Sequence, residues 1–391
     1  MAELGHTCGK ELMSKTVIIS GVTGQAGSYF VDYLLEKTDY KICGTIRRLS
    51  VSNYKNISHI KSDRFKLITM DLSDPISIDN VIRIHKPDYF INAAANSFVG
   101  SSWTLAAQHM QCNAMGVLYI LEAIKNHSPN TRFINYGSSE EFGDVAYSPQ
   151  DENHPPRARS PYGASKIAAR QLIKVYRESF NLYCLQGWSL NYESERRGEE
   201  FVTRKITKGV ARIYHDILNG RKFQPIFLGN LESRRDWSHA LDIVDGVWRM
   251  LNQEKYNSKL LGQKDDYLPS HIKEYVLASN TNHSVKEFVE KAFNAAGING
   301  YWYNNGFDPL EERFYLCNDE VEDMAEYMGD FDIINDECSL VRIDPTLFRP
   351  ADVETLRGSY DAIKKDLGWE PKVGFDELVS RMVKNDIENL V

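Results

Sequence analysis

Tyr162 and Lys166 lie four residues apart in SPYGASKIAARQLIKVYRESF, where Pro161 suits the first turn of a helix. On a helix that spacing puts both side chains on one face. An ammonium beside a phenol favours tyrosinate, which can accept a hydroxyl proton while hydride leaves the same carbon. Earlier in the chain the apolar run TRFINY ends in GSSEEFG, so that two hydroxyls, Ser138 and Ser139, meet two carboxylates. Glu140 is a candidate to take a proton from a substrate. Glu141, next to it, reads as a solvated loop acid.

Such chemistry needs a hydride carrier, and the stretch KTVIISGVTGQAGSYFVDYLLEK reads as strand, glycine-rich turn and helix. Val17, Ile18 and Ile19 form the short apolar run of a parallel strand buried on both faces. Gly21, Gly24 and Gly27 permit a tight turn and close backbone approach to a pyrophosphate, and the helix that follows presents its free N–H groups. Thr23, Gln25 and Ala26 complete this cofactor turn. The next strand, YKICGTIRR, has Gly44 about where an acid for the ribose 2′-hydroxyl would stand, and Arg47 and Arg48 follow. Guanidinium pairs with a 2′-phosphate that a carboxylate would repel, which predicts NADP rather than NAD. Arg48 can equally be a solvated loop charge.

Strands and helices go on alternating through RFKLITMDL, SIDNVIRIH, PDYFINAAA and a helical pattern over 104–127. That pace predicts a doubly wound parallel α/β sheet of Rossmann type. Ligands of such sheets lie beyond the carboxyl ends of the strands. Asp71 and Leu72, Ala94 and Ala95, and the turn carrying Glu140 should therefore converge on one cleft. LYCLQGWSLN and YVLASN read as further strands returning to the sheet. The expected division is a leader over 1–13, a cofactor-binding part over 14–190 with segments near 230–250 and 275–280 returning to it, and a smaller substrate part over 191–391.

Bulk properties narrow the function class. The 391 residues are 42% apolar and 26% charged, with a net charge of −8, which argues against a nucleic-acid partner. No apolar run approaches the roughly 18 residues of a membrane span. The six cysteines are scattered, which argues against a metal or disulfide framework and for a reducing, cytoplasmic setting. The acidic stretch within 311–337 reads as a solvated surface insertion rather than a metal site.

With GVTGQAGSY, RRLSVSN, SPYGASK, RRGEEFVTRKI, LGNLESRRDWSHA and DPTLFRPADVE in view, the chain resembles the extended short-chain dehydrogenases/reductases. Within them it is similar to the GDP-mannose 4,6-dehydratase family, from Lys15 to Val391. The resemblance implies a Rossmann domain, a smaller α/β C-terminal substrate domain and a dimer of dimers, with the RRLSVSN loop near the tetramer contact. It implies that Tyr162 deprotonates the sugar 4-hydroxyl, Ser138 polarises the developing 4-ketone and Glu140 removes the C5 proton. Water then leaves C6, and a tightly bound, recycled NADP is regenerated. Lys166 also anchors the nicotinamide ribose, and Arg197 faces the cofactor.

By the same resemblance Asn96, Ser97, Asn191, Glu193, Val202, Lys205, Arg235, Arg349 and Glu354 line the site of a GDP-sugar. Paired guanidiniums suit its diphosphate, whereas Arg204 and Arg234 read as surface charges. Departures from the family pattern stand at Asn96, Phe98, Ser138 and Tyr192. The first two leave GDP-manno-heptose as an alternative substrate, and an NADP-binding scaffold without turnover is the alternative of another class. Competition binding tests the cofactor expectation. One charge-assisted pair predicts NADP binding roughly tenfold or more tighter than NAD, and equal affinity would contradict it.

Overall fold

The structure, a computed structural model, describes residues 14–51, 53–253, 271–304, 308–317, 338–348, 353 and 355–390. The expected leader, residues 318–337 of the acidic stretch, Arg349 and Glu354 lie outside the described residues. In chain order the elements begin β1 (Thr16–Ser20), α1 (Gln25–Lys37), β2 (Lys41–Ile46), β3 (Phe65–Thr69), α2 (Pro75–His85) and β4 (Tyr89–Asn92). A helical rod follows, α3 (Ala106–Met110) and α4 (Gly116–His127) joined by a π-helical turn, Gln111–Met115. Next come β5 (Arg132–Tyr136), α5 (Pro161–Phe180), β6 (Cys184–Ser189), β7 (Asn191–Glu193) and α6 (Val202–Leu218). Then come β8 (Ile226–Leu228), β9 (Arg234–Arg235), β10 (Trp237–His239), α7 (Ala240–Leu251), β11 (Val276–Leu277), β12 (His283–Ser284) and α8 (Val285–Ala295). The rest is β13 (Gly300–Tyr303), β14 (Arg313–Leu316), β15 (Ser339–Ile343), α9 (Asp361–Leu367) and α10 (Phe375–Asn389).

Seven parallel strands form the main sheet in the order β11-β6-β5-β4-β1-β2-β3. Val17 and Ile19 face α1 and α7, whereas Ile18, Phe90 and Phe133 face α2, α4 and α5. Both faces are covered, which is why the strands read as continuous apolar runs. Each fully buried Ile or Phe here contributes about 1.5–3 kcal/mol. The winding reverses between β1 and β4, and the carboxyl ends of that pair open the crevice.

A second core joins α6, α8 and α10 to β8, β14 and β15 through Ile206, Val210, Phe288, Val341 and Met382. Its own sheet runs β13-β14-β15-β8. Two expectations change here. Gly44 does not stand where the ribose acid would: β2 continues to Ile46, and a Cβ on Gly44 would meet Val22 at 2.8 Å and Phe65 at 2.9 Å. The position at the strand's carboxyl end is Arg47. Arg204 is not a surface charge: it is 4% exposed, and its Nη2 lies 2.7 Å from the Asp386 carboxylate, which also accepts from Thr207 Oγ1 at 2.7 Å. Arg234 is 38% exposed and pairs with Glu287 at 3.2 Å.

The Arg204–Asp386 pair ties α6 to α10 inside the second core. Arg204→Ala leaves a buried carboxylate without its cation, which costs about 3–5 kcal/mol. Arg204→Met with Asp386→Leu should recover most of that loss. Urea denaturation checks both, and a single variant as stable as the parent would contradict the pair's role.

Candidate active site

A cavity of about 970 Å³ lies over the carboxyl ends of the sheet and extends toward β7, α6, β8 and β9. Its floor begins at the glycine turn. Gly21 has φ +66°, and a Cβ there would lie 2.8 Å from Ala94 Cα. A Cβ on Gly27 would lie 2.4 Å from Gly21 O. Glycine is therefore required for α1 to start this close to the strand ends. Gly24 caps α1 without a side-chain bond, and no acid stands in the first helical turn. This cradle fits a dinucleotide pyrophosphate, and Arg47 at the end of β2 fits a 2′-phosphate.

Thr23, Gln25, Ala26, Asp71, Leu72, Ala94 and Ala95 line the same cavity. Gln25, however, is engaged with protein: its Nε2 donates to Tyr192 O at 2.9 Å, and its Oε1 accepts from Ser194 Oγ at 2.5 Å. Asp71 accepts from Ser73 N–H and Oγ at 2.9 and 2.7 Å.

Ser138, Glu140, Tyr162 and Lys166 come together on one wall. Ser160 caps α5 by accepting from Gly163 N–H, with Pro161 next, so Tyr162 and Lys166 occupy the first two turns. Tyr162 is 7% exposed and Lys166 2%. Lys166 Nζ donates to Tyr136 O at 2.8 Å and stands 5.8 Å from the Tyr162 ring centre. Burial drives the Tyr162 phenol well above its usual value, the Ser138 hydroxyl opposes it, and Glu140 and Tyr192 add to the rise. The lowering expected from the ammonium is thus not the dominant effect here. Burial pushes Lys166 down to about 8, against the pull of the Glu141 carboxylate.

Glu141 overturns its reading as a solvated acid, because it is fully buried. Its Oε1 accepts from Ser138 N–H at 2.8 Å while Ser138 Oγ accepts from Glu140 N–H at 3.2 Å, a capping box over the turn Ser139–Glu141. Arg170 Nε lies 2.6 Å from Glu141 Oε2.

Asn96, Ser97, Asn191, Glu193, Arg197, Val202, Lys205 and Arg235 line the remainder. Asn113 Oδ1 accepts from Asn96 N–H at 2.9 Å and so shapes the turn after β4. Burial raises the Glu193 carboxyl, whose Oε2 accepts from Thr203 Oγ1 at 2.6 Å and faces Arg197 Nε at 3.0 Å. The Arg197 guanidinium carbon lies over Phe201, 3.4 Å from its ring centre, so part of its function is packing. Burial lowers Lys205, with Asp344 opposing. Arg235 is 8% exposed. Trp103, Phe201, Asn230 and Ser233 also line the cavity and were not anticipated. They sit in loops or at element ends, where no periodicity marks them.

The family model described as GDP-mannose 4,6 dehydratase matches residues 18–382. The chain belongs to the GDP-mannose 4,6-dehydratase family. Relatives carrying that name include one from Drosophila melanogaster, 38% identical over 96% of this chain and 86% of its own length. One from Vibrio cholerae serotype O1 is 35% identical over 96% and 94%, and one from Homo sapiens is 34% identical over 95% and 91%. Among solved structures, dTDP-glucose 4,6-dehydratase from Bacillus anthracis, in complex with NAD, superposes with a TM-score of 0.69 at 16% identity, covering 96% and 97%. UDP-glucose 4-epimerase from Thermotoga maritima gives 0.70 at 18%, covering 96% and 100%. At these identities the likeness shows that the family member shares their fold.

The environment of Lys166 is directly measurable. In protein with labelled lysine side chains, one ammonium should titrate near 8 while ordinary lysines titrate near 10.4. That resonance should vanish in Lys166→Met. Titration of every lysine near 10 would contradict the buried setting.

Proposed function

We propose that the chain converts GDP-mannose to GDP-4-keto-6-deoxymannose with a tightly held NADP that is regenerated in each cycle. The observation that carries this reading is Glu140, which shares a cavity wall with Ser138, Tyr162 and Lys166. An epimerase needs the phenol and the ammonium but no carboxylate base at C5.

When bound, NADP supplies the acceptor for hydride from sugar C4 and its return to C6. Tyr162 Oη takes the proton of the 4-hydroxyl, and Ser138 Oγ donates to the oxygen that becomes the 4-ketone. The ketone acidifies C5–H; the Glu140 carboxylate removes that proton and passes it to the departing C6 hydroxyl, which leaves as water, and C5 regains a proton, balanced by the one taken from the 4-hydroxyl, when hydride returns to C6. Lys166 holds the cofactor ribose and keeps a positive charge near the phenol. Gly21, Gly24 and Gly27 accommodate the pyrophosphate, and Arg47 meets the 2′-phosphate. At the other end Asn191, Val202, Lys205 and Arg235 receive the GDP moiety, with Arg349 and Glu354 assigned there from sequence alone.

Every relative described above bears the mannose name, which favours that sugar over a heptose. The scaffold alternative has no use for this catalytic set. The division of labour follows the two cores: 14–190 with its returning segments for the cofactor, 191–391 mainly for the nucleotide sugar. We further propose a homo-oligomer, a dimer of dimers, on the family resemblance alone. A cytoplasmic setting is supported by Cys43, Cys112 and Cys184, which form no disulfide. No helix among the described residues is long and apolar enough to cross a membrane.

Glu140→Gln should retain C4 oxidation, seen as reduced nicotinamide absorbance. It should lose exchange of the C5 hydrogen in deuterated water, with turnover reduced roughly 10²–10⁴-fold. Undiminished water elimination, followed by mass, would remove Glu140 from the base role.

A further inference from the structure

A buried ion pair beneath a catalytic turn calls for a reason, since well-packed apolar residues of similar volume are often as stabilising. Glu141 is fully buried and Arg170 is 6% exposed. Both Glu141 oxygens are occupied: Oε1 accepts from Ser138 N–H at 2.8 Å and from Gln186 Nε2 at 3.0 Å, and Oε2 accepts from Arg170 Nε at 2.6 Å. Arg170 is itself fixed, because its Nη1 donates to Gln186 O and to Glu274, each at 2.6 Å. Gly137 leaves space for the neighbouring strand and for this pair. A Cβ there would lie 2.2 Å from Gly187 O, 2.7 Å from Glu141 Oε1 and 3.0 Å from Arg170 Nη2.

The pair also reaches the other half of the site. Gln186 Nε2 donates to Lys166 O at 3.0 Å as well as to Glu141. One carboxylate thus holds the turn with Ser138 and Glu140 and is linked to the backbone of the helix that carries Tyr162 and Lys166. We propose that Glu141, locked by Arg170, is a positioning residue that sets the Ser138–Glu140 turn in register with Tyr162 and Lys166. The inference rests on the dehydratase reading for its kinetic consequences, though not for its geometry.

Glu141→Gln in the full chain with NADP and GDP-mannose is the test. The amide keeps the shape but has one acceptor oxygen, so its NH₂ must face Ser138 N–H or Arg170. Misplacement of the turn should lower kcat roughly 100-fold. The KM for GDP-mannose and the Kd for NADP should stay within about threefold, as for an interaction expressed in the transition state. The alkaline limb of kcat/KM should move to lower pH. The charged and titratable groups facing Lys166 are Glu141, Cys112, Arg170 and the Tyr162 phenol, and only Glu141 is altered. Arg170→Lys, which keeps the charge but cannot reach both carboxylates, should lower kcat in the same way while leaving the alkaline limb in place, and it carries the test if Glu141→Gln does not fold.

A substrate-free readout separates this inference from the reading beneath it. Amide hydrogen exchange in the peptide spanning Ser138 and Glu140 should quicken in both variants. If the parent protein does not dehydrate GDP-mannose, the dehydratase reading falls and exchange alone decides. Unchanged exchange overturns the positioning role. So does a variant with parental kcat and pH profile whose only defect is a lower melting temperature.

Discussion

The carboxyl end of β5 is the constraint on which the site depends. A strand buried on both faces must emerge into a turn whose backbone groups are all satisfied, and here the turn also carries the candidate base. The capping box from Ser138 to Glu141 meets both demands. Behind it runs a row of polar side chains across the sheet. Ser20 bonds to Asn92, Asn92 Nδ2 donates to Asn135 at 2.7 Å, and Asn135 Nδ2 donates to Gln186 at 2.6 Å. These residues are register partners on β1, β4, β5 and β6. A satisfied polar row in a low-dielectric interior is rigid, and it fixes the strand ends against one another.

That rigidity extends from the sheet to the second half through the segment after β7. Arg196 pairs with Asp32 on α1 at 2.7 Å, and its carbonyl accepts from Asn56 at 3.5 Å. Tyr29 donates to Glu195 at 2.7 Å. Burial opposes ionisation of Glu195, yet the His239 imidazole 3.6 Å away and the hydrogen bond from Tyr29 hold its carboxyl down to about 2. The helix proposed to receive the pyrophosphate and the strand proposed to lead to the sugar side are therefore one unit. In the proposed reading, cofactor and substrate positions are set by the same contacts.

Much of this was legible in the residues. The glycine turn between an apolar strand and a helix, the alternation that makes a parallel sheet, and the helical spacing of Tyr162 and Lys166 are local patterns. Local patterns survive in a single sequence. What was misread depends on partners far along the chain. Arg204 is a lone cation until Asp386 folds against it. Glu141 looks solvated until Arg170 and Gln186 enclose it. A signal for Glu141 did exist, because Ser138-x-x-Glu141 has the spacing of a capping box. Gly44 was misplaced because a strand's end is set by pairing, and β3 pairs with β2 as far as Ile46.

In the proposed reaction one carboxylate must reach the sugar carbon next to a transient ketone. A crystal structure with NADP and an unreactive GDP-sugar analogue would show this contact. A Glu140 oxygen should lie within roughly 3–3.5 Å of C5, on the face where its hydrogen lies. A Glu140 side chain turned to bulk solvent, with another group against C5, would contradict it.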